Sequence, residues 1–312
     1  MAERSASRRL AAPPRVGGGG AESAAAAAQI ACLLDVAAPK PGNVSRGRDL
    51  PGLTYRDLVL SATAIGPAFR DAGRRRVGEL VLDAIRRTRR VVGTNTNLGI
   101  VLLLAPLARA AARSGPATLR RRLAAVLGDL DLRDARHAYR AIRLAGAGGL
   151  GRVPAQDVAR APTGTLLACM RLAAGRDAVA REYATGFRTT FTISLPTIRR
   201  LRARRLDPAR AIAQTFLTIL AGRPDTLIAR RHGTKAAERA SREAASALRA
   251  GGMLTARGRR KVAALDRRLR AARPPQNPGA TADLTVAGLM ALLLESRPAA
   301  RRGGAKRSRR RG

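Results

Sequence analysis

Residues 93–107 read Gly-Thr-Asn-Thr-Asn-Leu-Gly-Ile-Val-Leu-Leu-Leu-Ala-Pro-Leu, a turn of small and amide-bearing residues directly before the most apolar run of the chain. The two glycines of this turn allow the backbone to turn tightly or to approach a ligand closely. Thr96 or Asn97 is predicted to cap a helix over residues 97–112, with backbone N–H groups pointing out of its start. Such a helix start attracts anions, phosphate in particular, although a capped and buried helix without a ligand would explain the same residues.

Helical apolar spacing recurs along the chain on both sides of this run, and no alternating segment of useful strand length is found. The fold class is therefore predicted to be all-α, a large multi-helix bundle with its ligand site at loops and helix N-termini. Helices are predicted over residues 22–38, 54–70, 77–92, 97–112, 119–127, 131–144, 163–174, 177–185, 187–203, 208–221, 225–250, 257–272 and 281–296. We expect these helices to form one all-helical domain, residues 22–297, which the resemblance described below makes a catalytic one. Two tails that we expect to be disordered flank it, a basic one at residues 1–21 and an Arg-rich one at residues 298–312.

The composition is strongly basic. The 312 residues include 60 Lys and Arg against 21 Asp and Glu, a net charge of +39. This charge indicates a polyanionic partner, which can be nucleic acid, an acidic membrane surface or a small molecule with several phosphates. Four Phe, three Tyr and no Trp provide few stacking platforms for single-stranded nucleic acid. A non-enzymatic, basic helical protein that binds nucleic acid is the alternative hypothesis. If the polyanionic partner is instead a small molecule with several phosphates, we expect nucleic acid to be bound only incidentally, through the basic tails.

The two Cys and two His of the chain show no metal-ligand spacing, so no structural zinc site is expected. We expect a cytoplasmic protein without disulfide bonds. No apolar run approaches the roughly 20 residues needed to span a bilayer, and no membrane partner is predicted. The sequence leaves the oligomeric state open.

The loop at residues 40–45, Lys-Pro-Gly-Asn-Val-Ser, cannot be helical, because two prolines flank the lysine and a glycine follows. Lys40 is therefore predicted to be an exposed cation on a stiff loop. Only four lysines occur in this Arg-rich chain, which favours a need for a compact point charge, as for binding phosphate. A plain connection between two helices is the alternative.

Three carboxylates follow loops of the same kind. Asp49 follows the lysine loop, Asp225 lies at a helix start with Arg230 five residues later, and Asp283 lies in the first turn of the last helix. Each could simply stabilise a helix dipole, by about 0.3–1 kcal/mol. Taken together, however, the loops predict that one end of the bundle gathers helix N-termini, amides, a lysine and carboxylates. That combination suits a nucleoside triphosphate with its magnesium ion.

Four of these segments, in this order, resemble the motifs of the triphosphoribosyl-dephospho-CoA synthase family. They are residues 40–44 (Lys-Pro-Gly-Asn-Val), 95–99 (Asn-Thr-Asn-Leu-Gly), 224–230 (Pro-Asp-Thr-Leu-Ile-Ala-Arg) and 277–284 (Asn-Pro-Gly-Ala-Thr-Ala-Asp-Leu). The segments 141–145, 148–151 and 181–184 are also similar to that family. The resemblance covers about residues 24–296, and four ordered motifs are far more specific than any one of them.

The resemblance implies an enzyme that moves the 5-triphosphoribosyl group of ATP onto the ribose 2′-hydroxyl of 3′-dephospho-CoA and releases adenine. The partners are then ATP and a dephospho-CoA-like acceptor, with Mg²⁺ accompanying ATP. The candidate catalytic residues are Asp49, Asp225 and Asp283, of which Asp225 and Asp283 are also candidate magnesium ligands. The candidate nucleotide- and phosphate-binding residues are Lys40, Gly42, Asn43, Asn95, Thr96, Asn97, Gly99, Arg230 and Asn277.

The sequence departs from the better-known citrate and malonate members in two places. Their central turn reads Asn-Thr-His-Lys-Gly, whereas Asn97 and Leu98 replace the His and Lys here; their first loop often has His-Asp where this chain has Arg48-Asp49. The chain thus resembles a variant branch of the family. An acceptor in tetrahydromethanopterin-type one-carbon cofactor biosynthesis is the alternative to dephospho-CoA.

Overall fold

A computed structural model of the chain describes residues 20–148 and 151–295, which form an all-α fold as predicted. Within these ranges no β-strand forms, and strand-like pairing is limited to two isolated bridges, Ser45–Arg48 and Leu50–Leu53. The α-helices are α1 (Gly20–Ala37), α2 (Tyr55–Ala64), α3 (Gly66–Phe69), α4 (Val77–Val91), α5 (Leu98–Ala112), α6 (Leu119–Gly128), α7 (Leu132–Ala145), α8 (Leu166–Ala173), α9 (Ala178–Ala184), α10 (Leu195–Ala203), α11 (Pro208–Gly222), α12 (Thr226–His232), α13 (Thr234–Arg249), α14 (Ala256–Ala271) and α15 (Gly279–Glu295).

The described residues form two hydrophobic cores, a larger and a smaller one. The apolar run after the central turn forms most of α5, which lies in the larger core. Val101, Leu103, Leu104 and Leu107 have no exposed surface. α5 packs against α1, α4, α6 and α15. Burying a side chain of this size stabilises the fold by about 1.5–3 kcal/mol. The start of α5 is therefore held on a rigid support, as the sequence predicted.

A smaller core lies among α11, α12, α13 and α14, and α15 is shared between the two cores. Ala282 of α15 belongs to the smaller core, whereas Leu284 and Val286 belong to the larger one. Because α15 is packed on both sides, its N-terminus is fixed in relation to the loops of both cores.

The single helix predicted over residues 225–250 is wrong. α12 ends at His232 and α13 begins at Thr234, with Gly233 between them at φ 83° and ψ 161°. This backbone conformation is far from helical and is open mainly to glycine. The break limits the helix that follows Asp225 to two turns.

Two other predicted helices are also interrupted. The segment predicted over residues 54–70 divides into α2 and α3, where Pro67 lies in the first turn of α3 and has no N–H to continue the helical hydrogen bonds. The segment predicted over residues 187–203 includes a π-helical turn at Thr190–Ser194, directly before α10.

Some predictions fall on residues outside the described ranges. They concern the tails at residues 1–21 and 298–312, apart from Gly20 and Ala21, which begin α1. Gly149 and Leu150 of the predicted glycine-rich loop also lie outside. Among the described helices, none combines the length and the apolar character required to cross a bilayer.

Candidate active site

The segment 277–284, at the start of α15, contacts each of the other three motif segments. Asn43 Nδ2 donates to Asn277 Oδ1 at 2.8 Å. Asp225 accepts hydrogen bonds from Thr281, and Asp283 lies directly against Gly99. Segments up to 234 residues apart in sequence thus meet at one end of the bundle. This convergence is what the shared pattern of the loops predicted.

The side chain of Asp283, which belongs to α15, packs against the first turn of α5 at Gly99. A Cβ atom placed on Gly99 would overlap Oδ2 of Asp283, so only glycine leaves room for this carboxylate. Asp283 is partly buried, and within the described residues its carboxylate forms no hydrogen bond and no ion pair. Because the first N–H groups of a helix lack carbonyl partners, the start of α5 favours an anion at this position.

Three other carboxylates interact with that of Asp283 through their charge. We refer to the four acids together as the carboxylate cluster: Asp35, Asp177, Asp225 and Asp283. The pKa of Asp283 is raised well above its usual value, first by burial and then by the charges of the other three carboxylates, while Arg230 lowers it. Arg230 is itself bound to Asp177, with Nη1 3.1 Å from Oδ2. In a chain with a net charge of +39, this end of the bundle is locally acidic. A cation bound here would relieve the repulsion.

Lys40 is buried, not exposed, which contradicts the exposure predicted for it. The residue is 1% exposed, and its Nζ lies 2.9 Å from Oδ2 of Asp35 and also donates to the main-chain oxygen of Asp35. The lysine turns inward because Asp35, near the end of α1, is itself buried and needs a counter-charge. Burial raises the pKa of Asp35, and Lys40 lowers it. Oδ1 of Asp35 is buried without a hydrogen-bond partner.

Asp225 joins the starts of two helices. Its Oδ1 accepts from the N–H groups of Leu227 and Ile228 at 2.8 and 3.0 Å, at the start of α12. Its Oδ2 accepts from N–H and Oγ1–H of Thr281, both at 2.7 Å, in the first turn of α15. Burial raises the pKa of Asp225, whereas these hydrogen bonds lower it. Four donors occupy both oxygens, so little capacity is left for a metal ion.

The central turn is organised by its amide side chains. The caps predicted at Thr96 or Asn97 do not form, because Asn95 Oδ1 accepts from the N–H of Leu98 instead, at 3.2 Å. Asn97 Nδ2 donates to Thr88 Oγ1 at 3.1 Å, and its Oδ1 is buried without a hydrogen-bond partner. The hydroxyl oxygen of Thr96 lies 2.6 Å from that of Ser61.

Asp49 lies apart from the carboxylate cluster. It is exposed, and its Oδ1 accepts from the N–H of Tyr55 at 2.6 Å, next to the start of α2. No contact within the described residues joins it to Asp225 or Asp283. Gly42 belongs to the same loop, with φ at 72°, and its N–H donates to Oδ1 of Asp266 at 2.8 Å.

Sequence reasoning missed Asp35, Asp177 and Asp266. The available signal for Asp35 is an acid among the apolar residues at the end of its helix, which implies a buried partner. Asp177 caps α9 through the N–H of Ala180 at 2.9 Å, so by position alone it is an ordinary helix-start acid. Asp266 lies among the arginines of α14, where only the tertiary structure shows what its carboxylate contacts.

No group of three or more His, Cys, Asp and Glu side chains in the described part of the chain is arranged to hold a metal ion by itself. Two carboxylates nevertheless have oxygen atoms without a hydrogen-bond partner. Oδ1 of Asp35 is buried without one, and no hydrogen bond forms at the carboxylate of Asp283 within the described residues.

The described residues thus form an all-α bundle with a polar site of carboxylates, amides and helix starts at one end. The sequence profile of the ATP:dephospho-CoA triphosphoribosyl transferase family matches residues 21–302, and the chain belongs to this family. It is also similar to the crystal structure assigned to a triphosphoribosyl-dephospho-CoA synthase from Archaeoglobus fulgidus, with 27% identity and a TM-score of 0.59. That similarity covers 76% of this chain and 99% of the other. No curated protein sequence matches.

The family and the similar structure support triphosphoribosyl transfer onto dephospho-CoA. They favour neither the one-carbon cofactor acceptor nor the non-enzymatic nucleic-acid-binding alternative.

Proposed function

We propose that the start of α15, with the three segments it contacts, is the active site for this transfer. The glycosidic bond between C1′ of the ATP ribose and adenine breaks, and a bond from C1′ to the 2′-oxygen of the acceptor forms. The acceptor hydroxyl loses its proton, adenine gains one, and the triphosphate stays on the transferred sugar. The observation that carries this proposal is the contact of segment 277–284 with all three other motifs.

The electrostatics of the carboxylate cluster suit this reaction. Breaking a glycosidic bond develops positive charge on the sugar, as in oxocarbenium-like transition states. The raised pKa of Asp283 means that its ionised form is poorly stabilised in the free protein. A cationic transition state would supply the missing counter-charge, so the interaction is strongest where it accelerates the reaction. We therefore assign Asp283 as the carboxylate that faces the reacting sugar.

Magnesium fits this site through Asp35 and Asp283, since Asp225 is fully hydrogen-bonded. Mg²⁺ prefers oxygen ligands and is often bound by one or two carboxylates together with substrate phosphates. The two carboxylates with unpartnered oxygens would hold it, and the phosphates of the substrate would supply further oxygen ligands. Bound there, the ion would neutralise phosphate charge. This assignment replaces Asp225 by Asp35.

Asp225 and Lys40 are assigned as positioning residues. Asp225 fixes the first turn of α15 through Thr281, two residues before Asp283. Lys40 holds Asp35 in place. The amides of Asn43 and Asn277 keep the first loop against α15, and Gly99 provides the space for Asp283.

The proposal is tested by incubating the purified protein with ATP, Mg²⁺ and dephospho-CoA, followed by chromatography and mass spectrometry. We expect free adenine and an acceptor that has gained a triphosphoribosyl group. ADP or pyrophosphate without free adenine would overturn the proposal. Asp283→Asn should lose the activity, by about 10²–10⁴-fold for an electrostatic group. Glu238→Gln, a change of the same kind at a half-exposed position of α13, is the matched control and should be as active as wild type.

A further inference from the structure

We propose that a groove lined by arginines, next to the active site, binds the phosphate chain of a nucleotide substrate; this rests on the proposed function. The groove has a volume of about 550 Å³ and lies between the first loop and the C-terminal half of α14. Arg48 comes from the loop, Arg267 and Arg270 come from α14, and Arg273 follows its end. We call this site the arginine groove.

Two of the four guanidinium groups are held in place by a buried carboxylate. Asp266 is 6% exposed. Its Oδ2 lies 2.5 Å from Nη1 of Arg48, and its Oδ1 accepts from Nε of Arg270 at 2.9 Å and from the N–H of Gly42 at 2.8 Å. The groove is therefore built by contacts between distant segments. Guanidinium groups that are fixed before a ligand binds lose little entropy when it does.

The other two guanidinium groups have capacity for a ligand. Arg267 is exposed, and no hydrogen bond or ion pair forms at its side chain within the described ranges. Arg273 donates to three carbonyl groups at the end of α14, all at 3.3 Å, through Nη1 alone. Arginine presents five donors in a planar fork that matches phosphate oxygens, and several forks around one groove suit a di- or triphosphate.

The groove adjoins the active site through Arg270. This side chain donates to the main-chain oxygens of Asn43 and of Asp49, the latter at 3.2 Å. The side chain of Asn43 in turn contacts Asn277 of the active site. One guanidinium group therefore joins the part of the loop that contacts α15 to the part that lines the groove.

The distribution of charge favours a separate positive site for the phosphate chain. The reacting end of a nucleotide is placed at the carboxylate cluster, where a bound Mg²⁺ would offset only part of the repulsion between the four carboxylates and the phosphates. Lys40, the cation that the sequence offered for phosphate, is committed to Asp35. Four arginines line the groove against two acids, Asp49 and Asp266, so it provides net positive charge beside the acidic site. The sugar and the phosphates of one nucleotide thus meet surfaces of opposite sign.

The same groove could hold the triphosphate of ATP or the diphosphate of the acceptor, since both chains offer the same chemistry. The test uses the double variant Arg267→Gln/Arg273→Gln, which removes the two guanidinium groups that are not held by Asp266. The matched control is Arg260→Gln, because Arg260 is exposed on α14 two turns before Arg267 and does not line the groove.

Steady-state kinetics should show that the double variant raises KM by about tenfold or more for one substrate, with kcat within about twofold of wild type. The substrate whose KM rises identifies the occupant, ATP or dephospho-CoA. Arg260→Gln should change neither KM. An unchanged KM for both substrates in the double variant would overturn the proposal. An equal rise of KM in Arg260→Gln would also overturn it, because that rise would show a general effect of net charge.

A binding measurement separates this inference from the proposed function. In calorimetry with inorganic tripolyphosphate, the wild type and Arg260→Gln should bind the probe, and the double variant should bind it about tenfold more weakly or worse. Equal binding by all three proteins would overturn the groove whatever their activity. Failure of the wild type to release adenine would refute the proposed function and leave the binding result to decide on the groove.

Discussion

Asp225 and Asp283 are both acids near helix starts, and the structure predicts opposite effects when each is changed to Asn. Asp225→Asn replaces a buried oxygen that accepts two hydrogen bonds by an NH₂ group facing two donors. A hydrogen bond to a charged group contributes about 1.5–3 kcal/mol, and a buried donor left unsatisfied costs about 1–3 kcal/mol. We expect a loss of stability of about 3 kcal/mol. For a domain of this size that corresponds to a fall in Tm of about 6 °C, at roughly 2 °C per kcal/mol.

Asp283→Asn should leave Tm unchanged or raise it, because Asp283 has no hydrogen bond to lose and its raised pKa indicates an unfavourable charge in the free protein. A carboxyl group whose pKa is raised in the folded state contributes stability below its unfolded pKa of about 3.9, and this contribution is lost as pH rises through the folded pKa. The difference in Tm between Asp283→Asn and wild type should therefore grow in favour of the variant as pH rises above about 4.

The measurement is thermal unfolding of both variants and wild type from about pH 4 to about pH 8, which spans the rise above the unfolded pKa, together with adenine release below the transition. We expect Asp283→Asn to be folded and inactive, and Asp225→Asn to be less stable. A fall in Tm of several degrees with normal turnover in Asp283→Asn would refute the reasoning, since it would make Asp283 a structural acid. Wild-type stability in Asp225→Asn would show that its four hydrogen bonds do not hold the two helix starts.

Three further predictions follow from the same contacts. Lys40→Met should lower the free energy of unfolding, measured in urea, by about 3–5 kcal/mol, because it leaves Asp35 buried without a counter-charge. The double variant Lys40→Met/Asp35→Leu should recover most of this loss. An unchanged urea midpoint in the single variant would contradict the buried ion pair. Gly99→Ala should abolish adenine release, because the added Cβ would displace the Asp283 carboxylate. The control Gly93→Ala should remain active, because no atom lies within 4 Å of the position of its Cβ. Equal activity of the two variants would show that the position of Asp283 is not needed for the reaction. Removing Mg²⁺ with EDTA should stop adenine release. It should leave the Tm of the protein without ATP unchanged, because the ion is proposed to bind together with the substrate phosphates. A large fall in Tm would indicate a structural metal instead.

The sequence by itself determined the fold class and marked the four segments that meet at one end of the bundle. Apolar residues at helical spacing predicted most helices, because a helix that buries one face must repeat that pattern. Glycine, proline and amide residues marked the loops, since their backbone preferences are local. For the same reason Gly99, Asp225 and Asp283 stand out in the sequence alone as candidate site residues.

Only the tertiary structure decided what each of these residues contacts and how deeply it is buried. In sequence, Asp225 and Asp283 look alike. In the structure, Asp225 accepts hydrogen bonds from Thr281, 56 residues away, whereas the carboxylate of Asp283 has no hydrogen-bond partner within the described ranges. Lys40 has the sequence context of an exposed phosphate ligand, but packing turns it towards Asp35. Burial and long-range partners fix the charge state and the hydrogen-bonding capacity of a side chain. Neither is set by its neighbours in the chain, so the roles of the acids and of the lysine depend on how the helices pack.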